Sequence, residues 1–144
     1  MEKNLYIVIV GCGRLGSLLA NQLSQKGHSV LVIDPSEDAF NNLSPGFSGF
    51  RIPGDASQLT ILKEAKLEKA DVFFATTQSD NVNLMVAQVA RKLFQVPQVL
   101  ARIEDPKRED VFNRLGIETI CPTSVGAELF LLSVASGRSL RENR

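Results

Sequence analysis

The sequence predicts a doubly wound α/β fold: a parallel sheet of six strands in the order 3-2-1-4-5-6, with helices on both faces. Three observations predict it. Apolar runs of strand length recur along the chain, with helix-like segments between them. The first, second and fourth runs, YIVIV, VLVI and VFFA, are continuous and show no in/out alternation, as strands covered on both faces require. A glycine-rich turn, GCGRLG, joins the first run to the first helical segment. Right-handed crossovers then place the first strand at the centre of the sheet.

The elements follow in order. Tyr6 to Val10 is the first strand. Leu15 to Gln25 sets Leu15, Leu18, Leu19 and Leu23 on one helical stripe, and Gly27 stops that helix. Val30 to Ile33 is the second strand, after which Asp34-Pro35-Ser36-Glu37 offers a cap, a first-turn proline and an acidic first turn. Phe50 to Pro53 is the third strand, and Asp55 precedes a short helix through Leu59 and Leu62. Val72 to Ala75 is the fourth strand. Asp80 to Phe94 is a longer helix, apolar on most of its circumference and therefore expected to be well buried. Val99 to Ile103 is the fifth strand. Pro106 to Leu115 is an exposed helix with Val111, Phe112 and Leu115 on its inner side, ending at Gly116. Glu118 to Cys121 is the sixth strand, and Thr123 to Ala135 is the last helix. One domain, residues 1–136, holds this pattern; residues 137–144 (GRSLRENR) are expected to form a flexible tail.

Composition narrows the function. The chain has 144 residues, 44% hydrophobic and 22% charged, a size at which one domain buries roughly two thirds of its unfolded surface. Sixteen basic and sixteen acidic side chains balance, which argues against a nucleic-acid binder resting on a basic face. No apolar run approaches the ~20 residues of a membrane span. The start, MEKNLYIVIVG, reads as a first strand and not a signal peptide, so a soluble, intracellular chain is expected. Cys12 and Cys121 lie three strand spacings apart, about 14 Å at ~4.8 Å each, too far for a disulfide. With no CxxC and a single histidine, His28 in a loop, no metal site is expected.

Gly11-Cys12-Gly13-Arg14-Leu15-Gly16 is a GxGxxG directly after a strand and opening a helix, and Asp34 ends the second strand 18 positions after Gly16. This is the Rossmann-like context that gives the motif meaning. Gly11 permits the tight turn, Gly13 lets a pyrophosphate approach the backbone, and Gly16 lets helix and strand lie close. The helix start adds free N–H groups and the positive end of a dipole. Asp34 would accept hydrogen bonds from ribose hydroxyls and repel a 2′-phosphate, favouring NAD or unphosphorylated adenosine over NADP; it also stands where a helix cap would. Arg14 is placed either to reach phosphate or to stand solvated at the surface.

GCGRLG, VLVIDPS, GDAS (Gly54 to Ser57), ATTQSDNVN (Ala75 to Asn83), ARIEDP and RLGIETICPTS together resemble the TrkA-N domain, the regulator-of-potassium-conductance (RCK/KTN) module, over residues 5–136. Gly54-Asp55-Ala56 is the most diagnostic piece. The resemblance implies a cytosolic regulatory subunit, peripheral to the inner face of the membrane, that binds NAD(H), ADP, ATP or AMP and gates a membrane potassium transporter or channel. It implies that Gly11, Gly13 and Gly16 form the phosphate loop, with Cys12 and Leu15 between them, and that Asp34 holds the ribose, with Pro35 beside it in the cofactor-binding set. It further places Asp55 and Ala56 beside the adenine, Thr76 and Thr77 toward the ribose and phosphates, and Arg102 at the phosphate end. Asp55 also reads as a helix cap and Arg102 as a surface charge. Fuller members continue into a second ligand domain. The last helix, with Leu129, Phe130, Leu131, Leu132 and Val134 together, suits either core packing or docking on a partner subunit, as in a homo-oligomer.

Three functions compete. A non-catalytic nucleotide sensor acting through a partner is preferred. An NAD-dependent oxidoreductase is the alternative, but no Ser/Tyr/Lys constellation or placed acid or base is visible: Tyr6 is the sole tyrosine and lies in the first strand. A scaffold subunit with a vestigial pocket is the third.

Overall fold

The computed structural model describes residues 3–137. Its six parallel strands are β1 (Tyr6–Val10), β2 (Ser29–Asp34), β3 (Phe50–Pro53), β4 (Val72–Ala75), β5 (Gln98–Arg102) and β6 (Glu118–Ile120). They pair in the order β3-β2-β1-β4-β5-β6, as the sequence predicts. The register sets Val10 beside Ile33 and Ala75, so the carboxyl ends of β1, β2 and β4 come level. That edge carries the glycine turn and Asp34.

Alternate strand residues divide between two cores. Val8, Val10, Leu31, Ile33, Phe73, Ala75, Val99 and Ala101 pack with residues of helices α2 (Leu59–Glu64), α3 (Asp80–Gln88) and α4 (Glu109–Arg114). Ile7, Ile9, Val30 and Val32 face the other way, toward α1 (Arg14–Gln25) and the 3-10 turn Glu37–Asn42. Over β4, β5 and β6 this second face is poorly covered: Phe74 and Leu100 are half-buried and Ile120 is exposed. Leu15 and Leu19 of α1 border an apolar cavity of about 180 Å³ there.

Four helices differ from expectation. In α1 the buried residues are Gly16, Ser17, Ala20 and Ser24, while Leu15, Leu19 and Leu23 lie at its flanks and Leu18 is 54% exposed. The reason is proximity: a Cβ on Gly16 would lie 1.8 Å from the Gly11 carbonyl oxygen, so only small side chains fit beneath the helix. Asp34 caps no α-helix; the segment after Pro35 is the 3-10 turn, and Asp34 accepts from Ser36 N at 2.9 Å. The long helix is α3 continued by a π turn, Val89–Leu93, and only Asn83, Val86, Ala87 and Ala90 of it are buried. In the segment from Pro106, Phe112 is buried but Val111 faces solvent.

The last helix, α5 (Pro122–Ser136), buries none of its residues, with Phe130 79% and Val134 81% exposed. The core-packing alternative is therefore not what this fold uses. Gly137 closes it in the left-handed conformation at φ 68°. The expected flexible tail lies, beyond that glycine, outside the described residues. Cys12 and Cys121 are both buried and form no disulfide.

Candidate functional site

The glycine turn is built by what its residues lack. Gly11 sits at φ 102°, a conformation that side chains rarely adopt, and a Cβ there would come within 2.9 Å of the Thr76 carbonyl group. Gly16 packs on Gly11. Gly13 is different: its φ of −78° suits any residue, and nothing lies within 4 Å of where its Cβ would be. As the cap of α1 it offers no side chain to the first-turn N–H groups, which have no partners within the helix. The bare turn and the positive helix end both open into a cleft.

That cleft, about 490 Å³, is lined by Gly11, Gly13, Asp34, Pro35, Gly54, Asp55, Ala56, Thr76 and Thr77, joined by Gln78, Ser79 and Val82. A second cleft of about 660 Å³ lies on the other side of the turn, lined by Gly13, Arg14, Leu15, Thr76, Gln78, Arg102 and Pro122. Gly13, Thr76 and Gln78 line both, so the two are one groove divided by charge. Two carboxylates, Asp34 and Asp55, border the first half; two guanidinium groups, Arg14 and Arg102, border the second.

Most expected site residues thus meet at one edge of the sheet, but not all face the groove. The Cys12 thiol is buried in the α1-side core. Its backbone N–H donates to Asp34 Oδ2 at 2.8 Å, while its carbonyl accepts from Asn42 Nδ2 at 3.0 Å. Burial, then the nearby Asp34 charge, pushes this thiol up to about 11, with Arg51 opposing. Gly16 lies behind the loop. Asp34 is held on both oxygens by backbone N–H groups, Cys12 and Ser36, which fixes the carboxylate and leaves further lone pairs toward the cleft.

Asp55 accepts from Ser57 N at 2.9 Å, and bonds with Ser57 hold its carboxyl below the usual range. It makes a turn ahead of α2 and does not cap it; Gln58 occupies that position. Gly54 lies against Ile61. Thr76 Oγ1 donates toward Val10 O and Gly11 O, at 2.9 and 3.2 Å, and so fastens the turn to β4. Thr77 N–H and Oγ1 both donate to Asn83 Oδ1, at 3.0 and 2.7 Å. Arg102 donates to Thr77 O at 3.1 Å and pairs with Glu104 at 2.9 Å.

Gln78, Ser79, Val82, Asn83 and Glu104 were not singled out from sequence. Gln78 and Ser79 follow Thr77 directly, so their place in the groove was readable from the strand end; Asn83 and Glu104 depend on long-range contacts. The single histidine and the single tyrosine lie away from the groove. His28 Nδ1 accepts from Leu5 N and Tyr6 OH donates to Ala65 O, both at the opposite end of β1. No group of acidic, His or Cys side chains among the described residues is arranged to hold a metal. Nor is any helix of the described residues long and apolar enough to cross a membrane.

A parallel sheet with a bare glycine turn at the carboxyl end of its central strand, and a carboxylate ending the next, defines a Rossmann-type nucleotide-binding domain. Within that class the chain belongs to the TrkA-N domain family, whose model matches residues 7–122. It is 44% identical over 127 residues to the Trk system potassium uptake protein TrkA of Streptomyces coelicolor, covering 88% of this chain and 57% of that protein. It is 34% identical over 116 residues to the TrkA homolog of Methanothermobacter thermautotrophicus, covering 81% and 53%. The chain therefore spans little more than half the length of these curated relatives.

Among solved structures, the TrkA-N domain of the inner membrane protein ybaL from Escherichia coli matches with a TM-score of 0.79 at 21% identity, covering 91% of this chain and 97% of that one. The GsuK channel bound to NAD matches at 0.68 and 21%, covering 84% and 22%. The AMP-bound form of the Kef CTD from Shewanella denitrificans matches at 0.72 and 20%, covering 90% and 81%. At these identities the three establish the shared fold.

Proposed function

We propose that this chain is a non-catalytic, nucleotide-sensing regulatory module. It binds an adenine nucleotide, NAD(H), ADP, ATP or AMP, and regulates a membrane potassium transporter or channel from the cytoplasmic side. Gly13 carries the reading. No protein atom requires a glycine there, yet a side chain at that point would stand where the two halves of the groove meet. A phosphate seated on the turn explains the bare position and the uncapped helix together.

The adenosine belongs in the acidic half. Asp34 takes the ribose hydroxyls and Pro35, Asp55 and Ala56 border the base, while the fixed charge of Asp34 repels a 2′-phosphate and so disfavours NADP. Further phosphates or a second nucleotide half extend toward Arg14 and Arg102. NAD and AMP, named for two structural neighbours, share adenosine 5′-monophosphate, the part that this half accommodates. The names of the relatives support the potassium-uptake partner. The distance of His28 and Tyr6 from the groove supports a sensor over an oxidoreductase, since neither reaches a bound ligand to move a proton.

The exposed apolar side chains of α5 support assembly with other subunits, as a homo-oligomer and through it with the membrane partner. Regulation then works by differential affinity: a nucleotide that binds one subunit arrangement better shifts the population toward it. A thermal-shift series with adenosine, AMP, ADP, ATP, NADH and NADPH tests the reading. A ligand at 100 times its dissociation constant should stabilise the fold by about 2.7 kcal/mol. Shifts with the ligands that lack a 2′-phosphate and none with NADPH are expected; equal shifts with NADPH and NADH would contradict the role of Asp34.

A further inference from the structure

Asn83 is the one completely buried polar side chain among the described residues, and it lines neither half of the groove. It lies in the first turns of α3, where asparagine is a poor helix former and a buried amide is costly unless satisfied. Its amide is satisfied in full. Oδ1 accepts from Thr77 N and Thr77 Oγ1; Nδ2 donates to Thr77 O at 3.0 Å and to Arg102 O at 2.8 Å. One side chain therefore holds both backbone polar groups of Thr77 and the carbonyl of Arg102.

Arg102 closes the ring by returning its guanidinium to Thr77 O. Its other arm rests on Glu104, whose backbone N–H is held by Asp80 Oδ1 at 2.7 Å. Thr77 is in turn packed on the phosphate turn: the Cβ position of Gly11 lies 3.0 Å from Thr77 N. A shift of the Thr77 peptide would move the guanidinium and the floor of the turn together.

We propose that Asn83 is a positioning residue for phosphate recognition, one that locks the peptides of Thr77 and Arg102 so that the guanidinium is preorganised at the second half of the groove. The inference rests on the nucleotide-binding reading above. Asn83 touches no ligand. It acts through Arg102, and it should affect phosphate recognition while leaving adenosine recognition alone.

Calorimetric titration of the full chain with adenosine and with ADP tests this. The readout is the ratio of the two dissociation constants, measured in wild type, Asn83→Ala, Arg102→Ala and the double variant. Asn83→Ala should cut the preference for ADP about tenfold, the scale of one charge-assisted hydrogen bond, with adenosine affinity held within about threefold. In the Arg102→Ala background it should cut the preference no further. A folded Asn83→Ala with unchanged preference would overturn the proposal, as would an equal loss in both backgrounds. Wild type that binds neither ligand would overturn the nucleotide reading as well, and is recognised because the unmodified chain itself fails. Should Asn83→Ala not fold, the unmodified chain decides by NMR: the Asn83 Nδ2 protons should shift with ADP and stay with adenosine, and unmoved protons with ADP would overturn the proposal.

Discussion

Gly13 and Gly16 are three residues apart in one turn and differ in what surrounds them. A methyl group on Gly16 would meet the Gly11 carbonyl oxygen at 1.8 Å and Thr76 Oγ1 at 2.8 Å, and backbone cannot yield as a flexible side chain does. Gly16→Ala should therefore lower stability by at least about 2 kcal/mol in a denaturant titration. Cys12 makes a second residue-scale prediction. Its thiol is raised from the ordinary 9.0 to about 11, chiefly by burial. A group whose folded pKa is raised stabilises the fold below its unfolded value, and that contribution is lost as pH rises. Stability should thus fall between about pH 9 and pH 11, and by less in Cys12→Ala. Across pH 7–8, a thiol reagent should modify Cys12 only through opening of the fold.

Each helix shows which part of the pattern sequence carries. The glycine turn, the strand runs and the carboxylate ending β2 were legible because their chemistry is local: turn geometry, continuous β-branched residues and fixed spacing. The leucine stripe of α1 misled, since periodicity reports where apolar side chains point but not how closely a helix approaches its sheet. Asn83 was illegible for a related reason, as its bonds reach from α3 to the carbonyl of Arg102, 19 residues away on β5. In α5, apolar residues on several faces suited a core helix, but the described chain supplies nothing that buries them. Replacing Phe130 and Val134 by Asp should leave the unfolding free energy of the isolated fold nearly unchanged, within about 0.5 kcal/mol per site. The same change should reduce the mass of any oligomer in light scattering. A large loss of stability in a monomer would show instead that α5 packs on its own sheet.

At the scale of the whole molecule, the fold divides labour along one edge of the sheet. Carboxylates on β2 and after β3 border one half of the groove, and arginines of α1 and β5 border the other, with the bare turn after β1 between them. The balanced total charge of the chain hides this local polarity. On the reading proposed above, a domain built this way would read phosphates at one point and report through exposed apolar surface, with the space above Gly13 reserved for a phosphate-bearing adenosine ligand. That reservation is the central claim. Calorimetric titration of ADP into wild type and Gly13→Val tests that claim most directly, because nothing lies within 4 Å of a Cβ at Gly13 and the fold should survive the change. Saturable binding to wild type, weakened at least about 100-fold in a folded Gly13→Val, is the predicted result; binding of equal strength to both, or to neither, would contradict it.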